Sequence, residues 1–173
     1  MSASDLNIRK ALREDVALIQ ELARDSWAFA YKDILSKGQI EYMLELMYGK
    51  EALKVQFDNP LYHYYIAENS KGTVGFLGFE HEVEPETTKL HRIYLLNEEK
   101  GKGYGKELLR FLEAQTLKYG DTRIILNVNK NNDAKKVYEK SGFLVYGEGV
   151  FDIGQGYSMD DFLMEKFLII RKK

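Results

Sequence analysis

Apolar residues recur along this chain at two periods, and the places where the period changes mark its elements. Leu6 and Ile8 alternate over residues 5–10, the mark of a short strand, whereas Val16, Ile19, Leu22 and Ala23 return at helical spacing as far as Arg24. SWAFAYKDIL then crowds Trp27, Phe29 and Tyr31 around the start of a second helical pattern, Ile40, Met43, Leu44 and Met47. Residues 50–57 form a third short helix closed by the turn residues Asn59 and Pro60. Tyr62, Tyr64 and Ile66 open a strand, NSKG at 69–72 turns it, and TVGFLGFEHEV returns antiparallel. Glu80, Glu82, Glu84 and Glu86, with His81 and Pro85 among them, read either as a solvated loop or as an electronegative rim for a cationic ligand. Beyond them lie a strand at 90–96, a helix at 103–119, a strand at 123–128, a short helix at 132–141 stopped by Gly142, and final strands at 143–150 and 159–168.

The turn between the strand at 90–96 and the helix at 103–119 is the most informative. It carries Gly101, Gly103 and Gly105 at alternate positions, interleaved with Lys100, Lys102, Tyr104 and Lys106. Such a turn leaves backbone N–H groups without helical partners at the positive end of a helix dipole, and glycine lets a diphosphate come close. A flexible solvated connector fits the same spacing, so the turn gains meaning only from what accompanies it.

Composition narrows the classes. The 173 residues, 45% hydrophobic and 13% aromatic, suit a single domain over 1–173 with one well-filled core. A net charge of -2 offers no general attraction to nucleic acid or an anionic membrane, and no apolar run is long enough to span a bilayer. The first residues lack an apolar signal core, which makes the cytoplasm the expected location. With no cysteine there is no disulfide, thiolate metal site or cysteine nucleophile, and no metal is expected.

A second motif follows the glycine turn: Asn131, Ala134 and Tyr138 stand at N-x-x-A-x-x-x-Y and run into Glu139, Lys140, Ser141, Gly142 and Phe143. In this order the two segments resemble the acetyl-CoA-binding core of the GCN5-related N-acetyltransferase (GNAT) family, with its Q/R-x-x-G-x-G/A and N-x-x-A-x-x-x-Y-x-x-x-G-F motifs. The likeness is close over residues 88–145. Lys100 departs from the usual leading residue, keeping the charge of arginine without its fork of donors. The family's V-x-x-x-N is one residue shorter here if Val128 and Asn131 are the partners.

The resemblance implies an α/β (α+β) fold, a mixed, mostly antiparallel sheet of about seven strands with helices on both faces. Its central strands would splay, Ile93-Tyr94-Leu95 from Asn127-Val128-Asn129. It implies acetyl-CoA as co-substrate, its diphosphate on the amides of residues 101–106 and its pantetheine arm along the splayed strand edge. The N–H of Ile93 or its neighbour would polarise the thioester carbonyl, and Asn131 would bond the arm while also suiting a helix N-cap. Tyr138 would donate a proton to the departing sulfur. With a thiol pKa of about 8.5 and a phenol near 10, full transfer is uphill by only about 2 kcal/mol, within reach of a concerted general acid.

The acceptor amine must shed a proton before it attacks, and His91, Glu80, His81 and Asp33 are candidates to take it. Strict alternation would put His91 on the face of Ile93 and Leu95. Trp27 and Tyr31 lie where the family builds one wall of the acceptor pocket, though core packing also suits them. The combination SWAFAY, LHRIYLL and DDFLMEK resembles PaiA-type spermidine/spermine acetyltransferases, with His91 where that type carries glutamate. A small-molecule polyamine is therefore the first expectation for the acceptor. A peptide N-terminus, an amino acid or an aminoglycoside is the second, and a non-catalytic CoA-sensing module is an alternative of another class. The exposed final strands are candidates for pairing two copies as a homodimer.

Overall fold

In a computed structural model, which describes residues 5–169, seven strands form one sheet in the order β1-β2-β3-β4-β5-β7-β6. The chain runs β1 (Asn7–Lys10), α1 (Val16–Ala30), α2 (Lys37–Tyr48), α3 (Lys50–Asp58), β2 (Tyr62–Asn69), β3 (Gly72–Glu84), β4 (Thr87–Leu95) and α4 (Tyr104–Tyr119). It ends with β5 (Arg123–Asn129), α5 (Ala134–Lys140), β6 (Leu144–Gly154) and β7 (Tyr157–Phe167). Every neighbouring pair is antiparallel except β4 and β5. This is the expected mixed sheet.

Alternation along the strands divides the core between the two faces. On one face Tyr64, Ile66 and Phe76 pack under Ile19, Leu22 and Trp27 of α1, Met43 and Tyr48 of α2 and Leu53 of α3. On the other, Leu77, Phe79, Leu90, Ile124, Leu126 and Met164 receive Leu109 and Leu112 of α4 together with Tyr138 and Phe143. Each fully buried aliphatic side chain contributes about 1.5–3 kcal/mol relative to exposure, so both helical layers are firmly held. Local signals set the helix ends. Ser36 caps α2 by accepting from Gln39 N–H at 3.1 Å, and α4 stops at Gly120, whose φ of 115° closes a left-handed C-terminal turn.

Two expectations change. SWAFA belongs to the last turns of α1 rather than to a connection, because nothing in it breaks a helix and Trp27 falls on the buried stripe with Ile19 and Ala23. The acidic stretch is no loop: Glu80 and Glu84 lie in β3, opposite Lys89 and Thr87 of β4, so the turn shrinks to Pro85 and Glu86.

The feature that positions the site is the parting of β4 from β5. They pair only from Thr87–Arg123 to Leu90–Leu126. Beyond that point β4 stays on β3 as far as Leu95 opposite Gly75, while β5 stays on β7 as far as Asn129 opposite Asp161. A wedge opens between them.

Candidate active site

The register decides which amides of β4 face the wedge. Leu96 N–H donates to Val74 C=O at 2.8 Å, and in an antiparallel ladder every second residue repeats that direction. Tyr94 and Arg92 therefore turn their backbones to β3, whereas Ile93 and Leu95 turn theirs to the wedge. A methyl group built on Gly75 would lie 2.0 Å from Tyr94 C=O, which confirms that the Tyr94 carbonyl points at β3. Of the triplet expected to meet the pantetheine arm, Ile93 and Leu95 thus offer backbone groups. Tyr94 instead places its ring in the core, edge-on to Phe76.

At the open end of β4 a short 3-10 turn (Asn97–Glu99) leads into the glycine turn. Gly101 and Gly103 have φ of 85° and 86°, left-handed values that glycine adopts without strain. The ladder of α4 begins with Glu107 N–H bonding Gly103 C=O at 3.2 Å, so the amides of Tyr104, Gly105 and Lys106 lie ahead of it at the helix start. Gly105 is a helical residue, with Leu95 Cδ1 3.6 Å from where its Cβ would stand. The Tyr104 side chain is buried beneath the sheet, its hydroxyl on Asp5 and Asn69, leaving only its backbone to a ligand. The lysines differ. Lys102 Nζ is 2.8 Å from buried Glu99, Lys100 Nζ lies over the Phe29 ring at 5.0 Å, and Lys106 is exposed at the first turn.

Tyr138 occupies the inner face of α5, buried and edge-on to Phe143 at 5.9 Å between centroids. Burial, with a smaller push from the nearby Tyr31, holds its phenol above the ordinary tyrosine range. Tyr31 ends α1 and lies against Trp27 with centroids 4.4 Å apart; its hydroxyl accepts from Asn132 Nδ2 at 3.3 Å. Tyr31 is thus half-buried at the wedge, while Trp27, 7% exposed, is core behind it. Asn131 is exposed and does not cap α5. Asn132 Oδ1 accepts from Ala134 N–H, and Asn129 Oδ1 accepts from Asn131 N–H, each at 2.9 Å. The N-cap position itself falls to Asp133, whose side chain makes no cap bond, and the Asn132 bond forms a turn just ahead of the helix.

His91 does not share a face with Ile93 and Leu95. The register jumps between Phe79–Leu90 and Gly78–Arg92, so His91 is the extra residue of a β-bulge and alternation breaks there. Leu90 faces α4, while both His91 and Arg92 turn toward the helical layer of α1–α3. His91 stacks on Tyr62 at 5.0 Å, and its Nε2 lies 3.0 Å from Glu80 Oε1. Burial pulls its pKa down to about 4 against the Glu80 hydrogen bond, with the charges of Arg92 and Lys89 adding to the fall. Glu80 also accepts from Asn59 Nδ2 at 3.0 Å, so both its oxygens are engaged inside the fold. His81 belongs to another network: it contacts Thr88 Oγ1 at 2.9 Å, which donates to Asp121 at 2.7 Å, and it stacks on Tyr119. Thr88 lies on the paired half of β4, away from the wedge.

A family model described as an acetyltransferase (GNAT) domain matches residues 32–154. The chain is 31% identical over 166 residues to a spermidine N(1)-acetyltransferase of Thermoplasma acidophilum, covering 93% of this chain and 96% of that one. This chain belongs to the GNAT acetyltransferases. A PaiA N-acetyltransferase of Thermoplasma acidophilum solved in complex with coenzyme A superimposes with a TM-score of 0.79 at 30% identity, over 95% of this chain and 99% of that one. A 5-NmdU N-acetyltransferase of Pseudomonas phage PaMx11 is likewise 31% identical, over 83% of this chain and 90% of its own. This GNAT protein is an acetyl-CoA-dependent N-acetyltransferase.

In this GNAT sheet, polar residues of the expected splay and of the DDFLMEK strand come together at the parted end of β5. Asn127, Asn129 and Asp161 project from β5 and β7 on the face opposite Leu126, Val128 and Phe162, with Met159 two residues before Asp161. Asn127 is exposed, and Asn129 and Asp161 are buried. The alternation of ILNVN, polar on one face and apolar on the other, is the sequence signal for Asn127 and Asn129. No group of three or more His, Cys, Asp or Glu placed to hold a metal occurs among the described residues, and none of their helices is long and apolar enough to cross a membrane.

Proposed function

We propose that this enzyme transfers the acetyl group of acetyl-CoA directly to a primary amine of a small cationic molecule, a polyamine such as spermidine or spermine, while both substrates are bound. The observation that carries the reading is the wedge: among the described residues, the β4 edge left unpaired at Ile93 and Leu95 ends beside the glycine turn, with Tyr138 and Tyr31 close to one another nearby. The diphosphate lies on the amides of residues 101–106, and the pantetheine arm extends β4 as an added strand, with Asn131 at its side. Ile93 N–H polarises the thioester carbonyl, Tyr31 forms one wall for the amine, and Tyr138 protonates the sulfur as it leaves. Direct attack is the natural course in a chain without cysteine.

His91 fits a structural part better than that of base. An imidazolium of pKa about 4 facing an alkylammonium near 10.4 makes transfer uphill by about 6 units, far too much for an efficient base. We assign it instead to fixing the β4 bulge, and the amine's proton to water at the open side of the wedge.

The polyamine reading takes support from the Thermoplasma relative's name, whereas the phage relative, equally identical, acts on a different amine by its own name. Self-association is assigned to β6, an edge strand that exposes Leu144, Val145 and Val150. The test of function is an acceptor screen reading free thiol from acetyl-CoA with polyamines, simple alkylamines, amino acids, aminoglycosides and peptides. Spermidine or spermine should give the highest kcat/KM, and preference for a peptide or neutral amino acid would contradict the polyamine assignment.

A further inference from the structure

Asp161, a buried carboxylate of β7, stands opposite Asn129 at the end of β5 that has parted from β4; it is 7% exposed, and its Oδ1 has no hydrogen-bond partner. An amide hydrogen bond from Asn127 reaches the same carboxylate, Lys89 of β4 lies within range of its charge, and Tyr31 of α1 feels it across the wedge. A carboxylate oxygen sealed from water and left unpaired is costly, more so when charged, and folds retain such a group where a ligand completes it. The surroundings define that ligand. Asp161 stands opposite Asn129 on the parted half of β5, on the same face as exposed Asn127 and beside Met159, so a group arriving from the open side meets first an amide and then the bare oxygen.

We propose that Asp161 Oδ1 is the anchor of the acceptor amine, binding it as an alkylammonium next to the thioester. The inference rests on the amine-acetyltransferase reading and adds the residue that selects a cation. A primary ammonium brings three donors, enough to satisfy Oδ1 and the Asn127 carbonyl, and its charge relieves the desolvated carboxylate. Binding the ammonium beside the sulfur-bearing carbon also leaves its own proton to pass to water along the Asn127 side before attack.

The test uses the full chain and its Asp161→Asn variant, with butylamine and spermidine as acceptors and thiol release as the readout. The variant keeps the shape and can still bond Asn127. Its KM for both amines should rise about 30-fold or more, with kcat changed far less and the affinity for acetyl-CoA unchanged. Its Tm without ligand should rise by about 2–4 °C, since a buried unpaired charge is gone. In the parent, KM for butylamine should climb as pH falls and Asp161 protonates; burial, opposed by the Asn127 bond and by Lys89 but reinforced by Asp160, sets that pKa above the ordinary aspartate value. This limb should vanish in the variant, and it stands as the deciding measurement if the variant does not fold. A variant within about threefold of the parent in KM, or a parent whose KM shows no acid limb, overturns the anchor while leaving the acetyltransferase reading intact. A parent that releases no thiol with any amine overturns that reading, and the anchor with it.

Discussion

Replacing Tyr138 by phenylalanine removes one hydroxyl and leaves the ring against Phe143, so the fold should lose no more than about 1 kcal/mol. Catalysis should lose much more. Burial lifts the phenol above its ordinary range, which by itself would make it a poorer acid. On the proposed reading the sulfur leaves beside this buried ring, however, where low polarity penalises its thiolate in the same direction. The gap between donor and acceptor therefore stays near the solution difference of about 1.5 units, or about 2 kcal/mol. A positioned general acid contributes about 10²- to 10⁴-fold, equivalent to about 2.7–5.4 kcal/mol on the transition state. Because the proton moves only as the C–S bond breaks, kcat and kcat/KM should fall together by that factor, with the acetyl-CoA Kd unchanged by calorimetry. The raised phenol also stays protonated to beyond pH 10, so any loss of parent activity between about pH 8 and 10 belongs to another group. A variant turning over within about threefold of the parent would refute the reasoning and assign Tyr138 to packing.

Other perturbations probe the cofactor turn and the His91 cluster. Gly103→Ala should weaken CoA binding more than about tenfold by calorimetry: the added Cβ meets nothing in the free protein, so its φ of 86° strains free and bound forms alike, and the loss comes from the Cβ standing where the proposed diphosphate site lies. Lys106→Ala should weaken CoA binding more than Lys102→Ala at low salt, because Lys102 is already paired with Glu99, and the difference should shrink as salt rises. His91 has a folded pKa near 4 against about 6.5 unfolded, so the unfolded chain binds the extra proton in that window and stability falls as pH drops from about 6.5 toward 4. His91→Gln should flatten that fall in thermal melts; an unchanged slope would show that His91 titrates normally.

The sequence foretold the elements better than the faces. Periodicity together with turn residues located the seven strands and five α-helices of the described residues, because both layers need well-spaced apolar stripes, and the glycine turn was legible because two left-handed positions require glycine; the 3-10 turns at Arg13–Asp15 and Asn97–Glu99 carry no such signal. The face of His91 was not legible: alternation assumes a regular ladder, and nothing in LHRIY shows that β4 gains a residue over β3 there. Spacing to Ala134 and Tyr138 singles out Asn131, whereas the bond of its neighbour Asn132 to Tyr31 depends on the turn after β5, which the spacing does not describe. Asp161 stands in DDFLMEK, which carries part of the likeness to PaiA-type enzymes but shows nothing of its burial. Only the fold puts it opposite Asn129 in the wedge, where its Oδ1 is unpaired.

Direct transfer between two bound substrates is tested most squarely by initial rates measured over a matrix of acetyl-CoA and spermidine concentrations. Double-reciprocal lines should intersect, acetyl-spermidine and CoA should form in equal amounts, and no acetyl group should stay on the protein when the amine is withheld. Parallel lines, together with an acetylated residue found by mass spectrometry, would contradict it.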